Sequence, residues 1–194
     1  MTHTTVPRRG RETPEAAKAA LLRRTLRRHA AGVTIVTVPG PAGFTATSFG
    51  SVSLEPALIS FCVATASSAA QAVQQADRFA VHLLGAGDSG LADRFARGGI
   101  DRFAGTAYLR EPDGLPILTA APAWLTARVV ARHPAGDHTL VIGEVDAGGI
   151  RERKPALVRH DGSYTTVTRS APRRAETERP AWRGAPEGRP VFRT

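Results

Sequence analysis

The 194-residue sequence contains a single cysteine and a single methionine, and only 6% of its residues are aromatic. The lone cysteine, Cys62, excludes an internal disulfide and any metal site that is built on paired cysteines. It lies within the apolar run 58–63, so we expect a small buried side chain rather than a nucleophile. The six histidines lack ligand spacing with an accompanying carboxylate cluster, and we predict no metal site.

Long apolar runs are also missing. No run approaches the roughly 20 residues that cross a membrane, and the first residues lack the apolar segment of a secretory signal. We therefore expect a cytoplasmic protein without a membrane partner. The sequence contains no dinucleotide-binding glycine fingerprint, phosphate-binding loop, nucleophile elbow or His-Glu-x-x-His motif, and this excludes the common sites that those motifs form.

The net charge of +9 is concentrated at the two ends of the chain. Residues 1–31 hold eight Lys and Arg against two Glu, residues 170–194 hold six Arg against three Glu, and the middle is balanced. We expect a disordered basic arm over 1–12, one domain over 13–169 and a disordered Arg- and Pro-rich tail over 170–194. Because the middle lacks a basic-aromatic pattern or zinc-finger spacing, we expect no nucleic-acid partner.

Hydrophobic patterning predicts more strands than helices. Thr13 followed by Pro14 predicts a helix N-cap, with a helix to about Ala30. Further helices are predicted over 67–76 and 88–97, strands over 33–38, 44–49, 58–64, 78–84, 123–132, 138–147, 156–160 and 163–167, and irregular structure over 98–121. Because the strands form hairpins with short helices between them, we predict a mainly β fold, an antiparallel barrel with peripheral helices.

Residues 43–53 are dense in hydroxyls and small side chains, which suits a polar planar ligand laid against the main chain. An ordinary Thr-rich edge strand is the alternative. Ser67 and Ser68 at a predicted helix start suit a phosphate, or are simply N-caps. His138 at a hairpin mouth is by default an exposed turn residue. Donors without acid-base machinery fit a site in which a bound organic cofactor performs the reaction.

Six segments occur in a recognisable order along about three quarters of the chain: 31–37, 45–56, 62–68, 78–84, 101–103 and 136–145. With them, residues 27–167 resemble the flavin reductase family, whose members are FMN-binding split barrels and serve as the small component of two-component flavin monooxygenases. The resemblance implies an antiparallel split β-barrel that forms a homodimer. It also implies an enzyme that transfers hydride from NADH or NADPH to FMN or FAD and supplies reduced flavin to a partner monooxygenase.

The resemblance also implies site residues. Flavin contacts fall on Thr45, Ala46, Thr47, Ser48 and Ser51, the ring is lined by Cys62, Val63 and Ala64, the phosphate is held by Ser67 and Ser68, and Arg102 and Phe103 close over the cofactor. The nicotinamide side comprises His138, His160, Gly162 and Tyr164, with His138 as the catalytic residue.

The chain departs from the family pattern beside the serine pair. Thr65 and Ala69 stand where the family commonly has a basic residue and a Thr, so we expect a weaker phosphate grip, suited to release of the flavin as a product. His82 stands where the family often has Asn.

Two alternatives of other classes remain open. One is a flavin-binding oxidase or monooxygenase that acts directly on an organic substrate. The other is a non-catalytic binding protein that acts through its basic arms. The sequence does not decide whether the flavin is FMN or FAD, or whether the nicotinamide nucleotide is NADH or NADPH.

Overall fold

The computed structural model describes residues 13–167. Within this range the helices are α1 (Pro14–Leu26), α2 (Ala70–Gln75) and α3 (Ser89–Ala96). The strands are β1 (Ala31–Gly32), β2 (Thr34–Val38), β3 (Ala42–Ala46), β4 (Gly50–Leu54), β5 (Ala57–Ala64), β6 (Arg78–Leu83), β7 (Tyr108–Arg110), β8 (Pro116–Leu118), β9 (Ala123–Ala135), β10 (His138–Ile150), β11 (Leu157–His160) and β12 (Ser163–Thr166). No helix in the described range has the length and apolar character of a membrane span. The predicted arm and tail lie outside these residues, so the domain division stays a prediction.

Seven antiparallel strands form the main sheet, in the order β3-β2-β6-β9-β10-β5-β4. The two outermost strands, β3 and β4, are consecutive in the chain and are joined only by residues 47–49. Laid flat, seven strands are about 29 Å wide, whereas the connection reaches at most about 14 Å. The sheet must therefore roll until its two edges meet. No ladder joins β3 to β4 within residues 13–167, so the roll is split at this point, which confirms the predicted antiparallel split barrel.

Aromatic side chains fill the rolled sheet. Phe61 and Phe79 are buried and meet edge to face, with ring centroids 5.0 Å apart. Gly143 on β10 leaves room for the Phe79 ring, because a Cβ at that position would overlap it. A second apolar cluster covers the outside of the barrel, where Phe95 of α3 packs against Phe103 at 5.2 Å. This cluster fixes α3 beside β3.

Helix α1 begins as predicted, because the Ala16 amide donates to the Thr13 hydroxyl at 3.2 Å. It ends at Leu26 rather than Ala30, since the main-chain carbonyl of Arg27 accepts a hydrogen bond from the Asp161 amide at 2.8 Å. An ion pair between Arg27 and Asp161, at 3.4 Å, supports the same contact. No residue of α1 is buried within the single chain. The helix is therefore anchored mainly at its C-terminal end, on the turn between β11 and β12.

Other predicted boundaries differ from the structure because tertiary pairing sets them. β3 ends at Ala46, and the unpredicted strand β4 follows by pairing with β5. α2 begins at Ala70, after turns over 65–69. The predicted irregular stretch 98–121 contains the hairpin of β7 and β8. Strand β9 continues to Ala135 because its ladder with β10 extends to a two-residue turn at Gly136 and Asp137.

His82 lies near the C-terminal end of β6 and is fully buried. Its Nδ1 is 3.1 Å from the Ile35 carbonyl, and its Nε2 accepts a hydrogen bond from the Leu118 amide at 3.0 Å. The neutral ring with its proton on Nδ1 satisfies both contacts. Burial lowers the pKa of His82 to about 4. His82 is therefore a structural residue that links three segments of the core.

Burial of a neutral His82 predicts a specific loss of stability in acid. The second proton of the His82 ring binds to the unfolded chain with a pKa near 6.5 and to the folded chain only near 4. The free energy by which neutral His82 stabilises the fold is therefore fully present above pH 6.5 and falls as the pH drops towards 4. The loss is about 3 kcal/mol in the free energy of unfolding. We expect His82→Asn to remove this part of the pH dependence in denaturant titrations at several pH values. His133→Asn, at an exposed position of β9, should retain it. Identical slopes for wild type and His82→Asn would contradict the assignment.

Candidate functional site

A cleft of about 340 Å³ opens where the barrel is split. The end of β3 and the 47–49 connection form one wall, β5 forms the opposite wall, and α3, Arg102 and the start of β10 close the ends. The lining residues are Phe44, Thr45, Ala46, Thr47, Ser48, Cys62, Ala64, Ser67, Phe95, Ala96, Arg102 and His138.

β3 presents main-chain groups to the cleft because it is an edge strand. The Gly43 carbonyl accepts a hydrogen bond from Arg102 Nη1 at 2.8 Å, so it points away from β2. Main-chain groups alternate in direction along a strand, and those of Thr45 therefore face the same free edge. The Thr45 hydroxyl points elsewhere and donates to the Ala92 carbonyl at 2.6 Å. Thr45 offers the cleft its main chain and not its side chain.

Ser48 connects the two walls. The ladder of β4 with β5 ends at Gly50, which is opposite Ser60. Two residues beyond this pair on each chain segment, Ser48 lies opposite Cys62. There the Cys62 amide donates to the Ser48 hydroxyl at 2.9 Å, and the hydroxyl is 3.3 Å from the Cys62 carbonyl. The Ser48 side chain thus takes the place of a main-chain partner.

Arg102 brings positive charge to the cleft. Its Nε donates to the Arg97 carbonyl at 2.8 Å, and no carboxylate lies within ion-pair distance of it among residues 13–167. Burial lowers the pKa of Arg102, yet a guanidinium stays charged at neutral pH. Ser67 lines the cleft with it, and a neighbouring recess of about 210 Å³ contains Ser68 and Arg102. Arg102 therefore borders both the cleft and the recess as a cation without an acidic partner within ion-pair distance in the described range.

His138 lies at the opposite end, at the start of β10. Its Nδ1 is 2.6 Å from Asp137 Oδ1, and its Nε2 bonds to no residue of the described range. The hydrogen bond from His138 lowers the pKa of Asp137, and the charge of Arg23 contributes. The Asp137 carbonyl in turn accepts hydrogen bonds from Thr65, at 2.9 Å from the amide and 3.1 Å from the hydroxyl. The turn that carries His138 is thus fixed to the end of β5.

A groove of about 720 Å³ adjoins the cleft, and the two share Thr47 and Ser48. The C-terminal end of α1, β1 and the β11–β12 turn form its walls. Its other lining residues are Arg23, Leu26, Arg27, His29, Ala31, Arg159, Asp161 and Gly162. Its single carboxylate, Asp161, is paired with Arg27, whereas no carboxylate of the described range lies within ion-pair distance of Arg23 or Arg159. The groove is therefore basic.

The structure brings most of the predicted site residues together. Nine of them line the cleft: Thr45, Ala46, Thr47, Ser48, Cys62, Ala64, Ser67, Arg102 and His138. Ser68 and Phe103 line the recess, and Gly162 lines the groove. Phe103 is also largely buried against Phe95, so it is a core residue rather than a cover over the cleft.

Four predicted residues line neither the cleft, the recess nor the groove. Val63 is 1% exposed and points into the core, because neighbouring residues of a strand face opposite sides and Cys62 takes the cleft side. Ser51 is exposed on β4 opposite Ile59. Tyr164 packs on the outer apolar cluster, with Arg159 over its ring at 5.0 Å, and His160 is exposed.

The walls that come from helices were not predicted. Phe95 and Ala96 of α3 line the cleft, and Arg23 of α1 and Arg27, just after it, line the groove. The basic residues over 1–31 are visible in the sequence, but the position of α1 beside the 47–49 connection depends on contacts between distant residues.

Comparison with known proteins shows the family of the chain. A family model described as a flavin reductase like domain matches residues 26–168. The chain belongs to this family. It is 44% identical to an NADH:FMN oxidoreductase of Rhodococcus erythropolis over 167 residues, covering 80% of this chain and 87% of that protein. This confirms the resemblance seen in the sequence.

Two further members of the family differ in what their names describe. The solved NADH:FAD oxidoreductase SgcE6 of Streptomyces globisporus C-1027 matches with a TM-score of 0.75 and 32% identity, covering 82% of this chain and 99% of that one. HsaB of Rhodococcus jostii, the reductase subunit of a flavin-dependent monooxygenase, is 33% identical over 162 residues, covering 81% of this chain and 83% of that protein. The family is thus shared by proteins named for FMN and for FAD.

Proposed function

We propose that the chain is an NAD(P)H-dependent flavin reductase that transfers hydride to FMN or FAD and supplies the reduced flavin to a monooxygenase. One observation carries the proposal: a cleft with neutral donors and one uncountered cation is continuous with a basic groove. The cleft suits a flavin, and the groove suits the phosphates of a nicotinamide dinucleotide. Family membership supports the same activity.

The residues of the cleft fit a flavin by their chemistry. The flavin ring is planar with polar edges and an apolar face, and the cleft offers the main chain of Thr45 beside the small side chains of Cys62 and Ala64. Ser67 and Arg102 together suit a phosphate, since one supplies a hydroxyl and the other a guanidinium. These residues would hold the flavin.

A bound flavin supplies the redox chemistry, because its ring accepts the hydride that NAD(P)H delivers. The chain itself then has to align the two rings and stabilise charge. Arg102 places a positive charge near the cleft, where it favours the negative charge that a reduced acceptor gains. His138, held through Nδ1 by Asp137, presents Nε2 as a donor or acceptor on the nicotinamide side. No side chain has to act as a nucleophile.

The residues beside the serine pair favour release of the flavin. Thr65 and Ala69 are uncharged, Thr65 bonds to the Asp137 carbonyl and Ala69 is buried, so neither adds a cation to the cleft. A flavin held by one arginine and small donors can leave as a product for a separate oxygenase, as expected of a reductase subunit. The homodimer implied by the resemblance and the cytoplasmic location expected from the sequence stay predictions.

The decisive experiment is steady-state oxidation of NADH and of NADPH with FMN, FAD, riboflavin or no flavin. We expect turnover that depends on added flavin and saturates with it, together with loss of flavin from the protein during gel filtration. Flavin binding without turnover would overturn the reductase assignment, and product analysis with organic substrates would then test an oxidase.

Replacing Arg102 should weaken FMN binding selectively. Hydrogen bonds to charged groups contribute about 1.5–3 kcal/mol, so we expect Arg102→Ala to raise the Kd for FMN by about 10- to 100-fold. Riboflavin lacks the phosphate, and its affinity should change far less. Fluorescence titration with both flavins measures the difference, and Arg110→Ala, an exposed position of β7, is the charge-matched control. An equal loss for FMN and riboflavin would show that Arg102 does not act through the phosphate.

Replacing His138 should separate nicotinamide turnover from flavin binding. We expect His138→Ala to keep the FMN affinity within about twofold and to lower kcat/KM for NADH by about tenfold, or about 1.4 kcal/mol. His133→Ala, an exposed histidine of the adjoining strand β9, serves as the control. Unchanged NADH turnover in His138→Ala would remove His138 from the site.

Two arginines of α1 offer a matched test of the groove. Arg23 lines the groove and Arg24 does not, although both are exposed on the same helix. We expect Arg23→Gln to raise KM for NADH about three- to tenfold with little change in kcat, and the effect should shrink as salt screens the charge. Arg24→Gln should change neither constant appreciably. Equal effects of the two variants would exclude a specific contact with Arg23.

A further inference from the structure

The 47–49 connection contains one hydrogen-bonded tie that the proposed reaction does not use. Beyond Gly50, strand β5 has lost its partner β4, yet the Cys62 amide and carbonyl still point to that side. Since both groups meet the Ser48 hydroxyl, Cys62 and its partner Leu140 on β10 form a non-hydrogen-bonded pair of that ladder. The Ser48 hydroxyl accepts from the amide and lies within reach of the carbonyl. One side chain thus satisfies both main-chain groups.

The two halves of this tie are unequal. The bond from the Cys62 amide to the Ser48 oxygen is 2.9 Å long, whereas the hydroxyl is 3.3 Å from the Cys62 carbonyl. A hydroxyl has one proton and two acceptor sites, so it can redirect its proton without losing the shorter bond. Ser48 can therefore hold β5 and still offer a proton to a molecule in the cleft.

We propose that Ser48 is a positioning residue that fixes the spacing between the two walls of the cleft through the Cys62 main chain. Thr45 and Thr47 lie on the first wall and Cys62 and Ala64 on the second. Within residues 13–167, no ladder bonds join these walls. Phe44 of β3 packs against Phe61 of β5 in the core, with ring centroids 5.9 Å apart, and the Ser48 bond adds a polar contact between the walls at the cleft. The Ser48 tie sets the spacing between the two walls of the cleft before a ligand enters. The flavin part of this inference rests on the proposed function, whereas the tie itself does not.

Hydrogen exchange of the Cys62 amide in the ligand-free protein tests the tie directly. We expect Ser48→Ala to accelerate this exchange at least fivefold, and Ser48→Thr, which keeps the hydroxyl, to restore it to within about twofold of wild type. Thr47→Val is the control, because the Thr47 hydroxyl bonds to no residue of the described range, and it should leave Cys62 exchange unchanged. Unchanged exchange in Ser48→Ala would overturn the tie.

A second measurement separates positioning from a purely structural role. We expect Ser48→Ala to raise KM for FMN about fivefold while thermal unfolding is unchanged, and Ser48→Thr to recover the wild-type KM. Faster Cys62 exchange with an unchanged KM would reduce the tie to a structural bond and overturn the positioning role. If the wild-type protein bound no flavin, the proposed function and the flavin part of the inference would both fall, and the exchange rates would still decide the tie.

Discussion

The short connection between β3 and β4 determines the shape of the main sheet and the position of the cleft. Three residues join the two outermost strands of a seven-stranded sheet, so the sheet cannot stay flat. Rolling encloses Phe61 and Phe79 and leaves an unpaired seam at the connection. The cleft is this seam. Its main-chain donors are available because edge strands have groups that no ladder satisfies.

Several polar side chains near the cleft already form hydrogen bonds within the protein. The hydroxyls of Thr45 and Ser48 bond to the protein itself, and these contacts hold α3 and β5 in place. What remains for a ligand is main chain, the hydroxyls of Thr47 and Ser67, the proton that Ser48 can redirect, Nε2 of His138 and the charge of Arg102. Arg78 and Arg102 differ in whether a carboxylate of the fold pairs with their charge. Arg78 contacts Asp113 at 2.7 Å and Asp146 at 3.0 Å, so its charge is used within the fold, whereas that of Arg102 is free for an anion.

Much of the fold followed from local sequence. Apolar strands, the Thr13 N-cap and the tight turn at Asp161 and Gly162 depend on residues close together in the chain, and each was predicted correctly. Strand β4 was missed because its residues are largely exposed, so only pairing with β5 shows that it is a strand. The hairpin of β7 and β8 was missed because each strand has only three residues.

For the site, the kinds of group present could be read from the sequence: small residues and hydroxyls over 43–53, a serine pair, one arginine and one histidine. Strand alternation could also have shown that Cys62 and Val63 face opposite sides. Three features required the tertiary structure: the hydroxyl of Ser48 binds Cys62, Phe103 is buried in the core, and Arg23 of α1 lines the groove beside the cleft. The physical reason is that each of these depends on contacts between residues far apart in the chain, which the rolling of the sheet brings together.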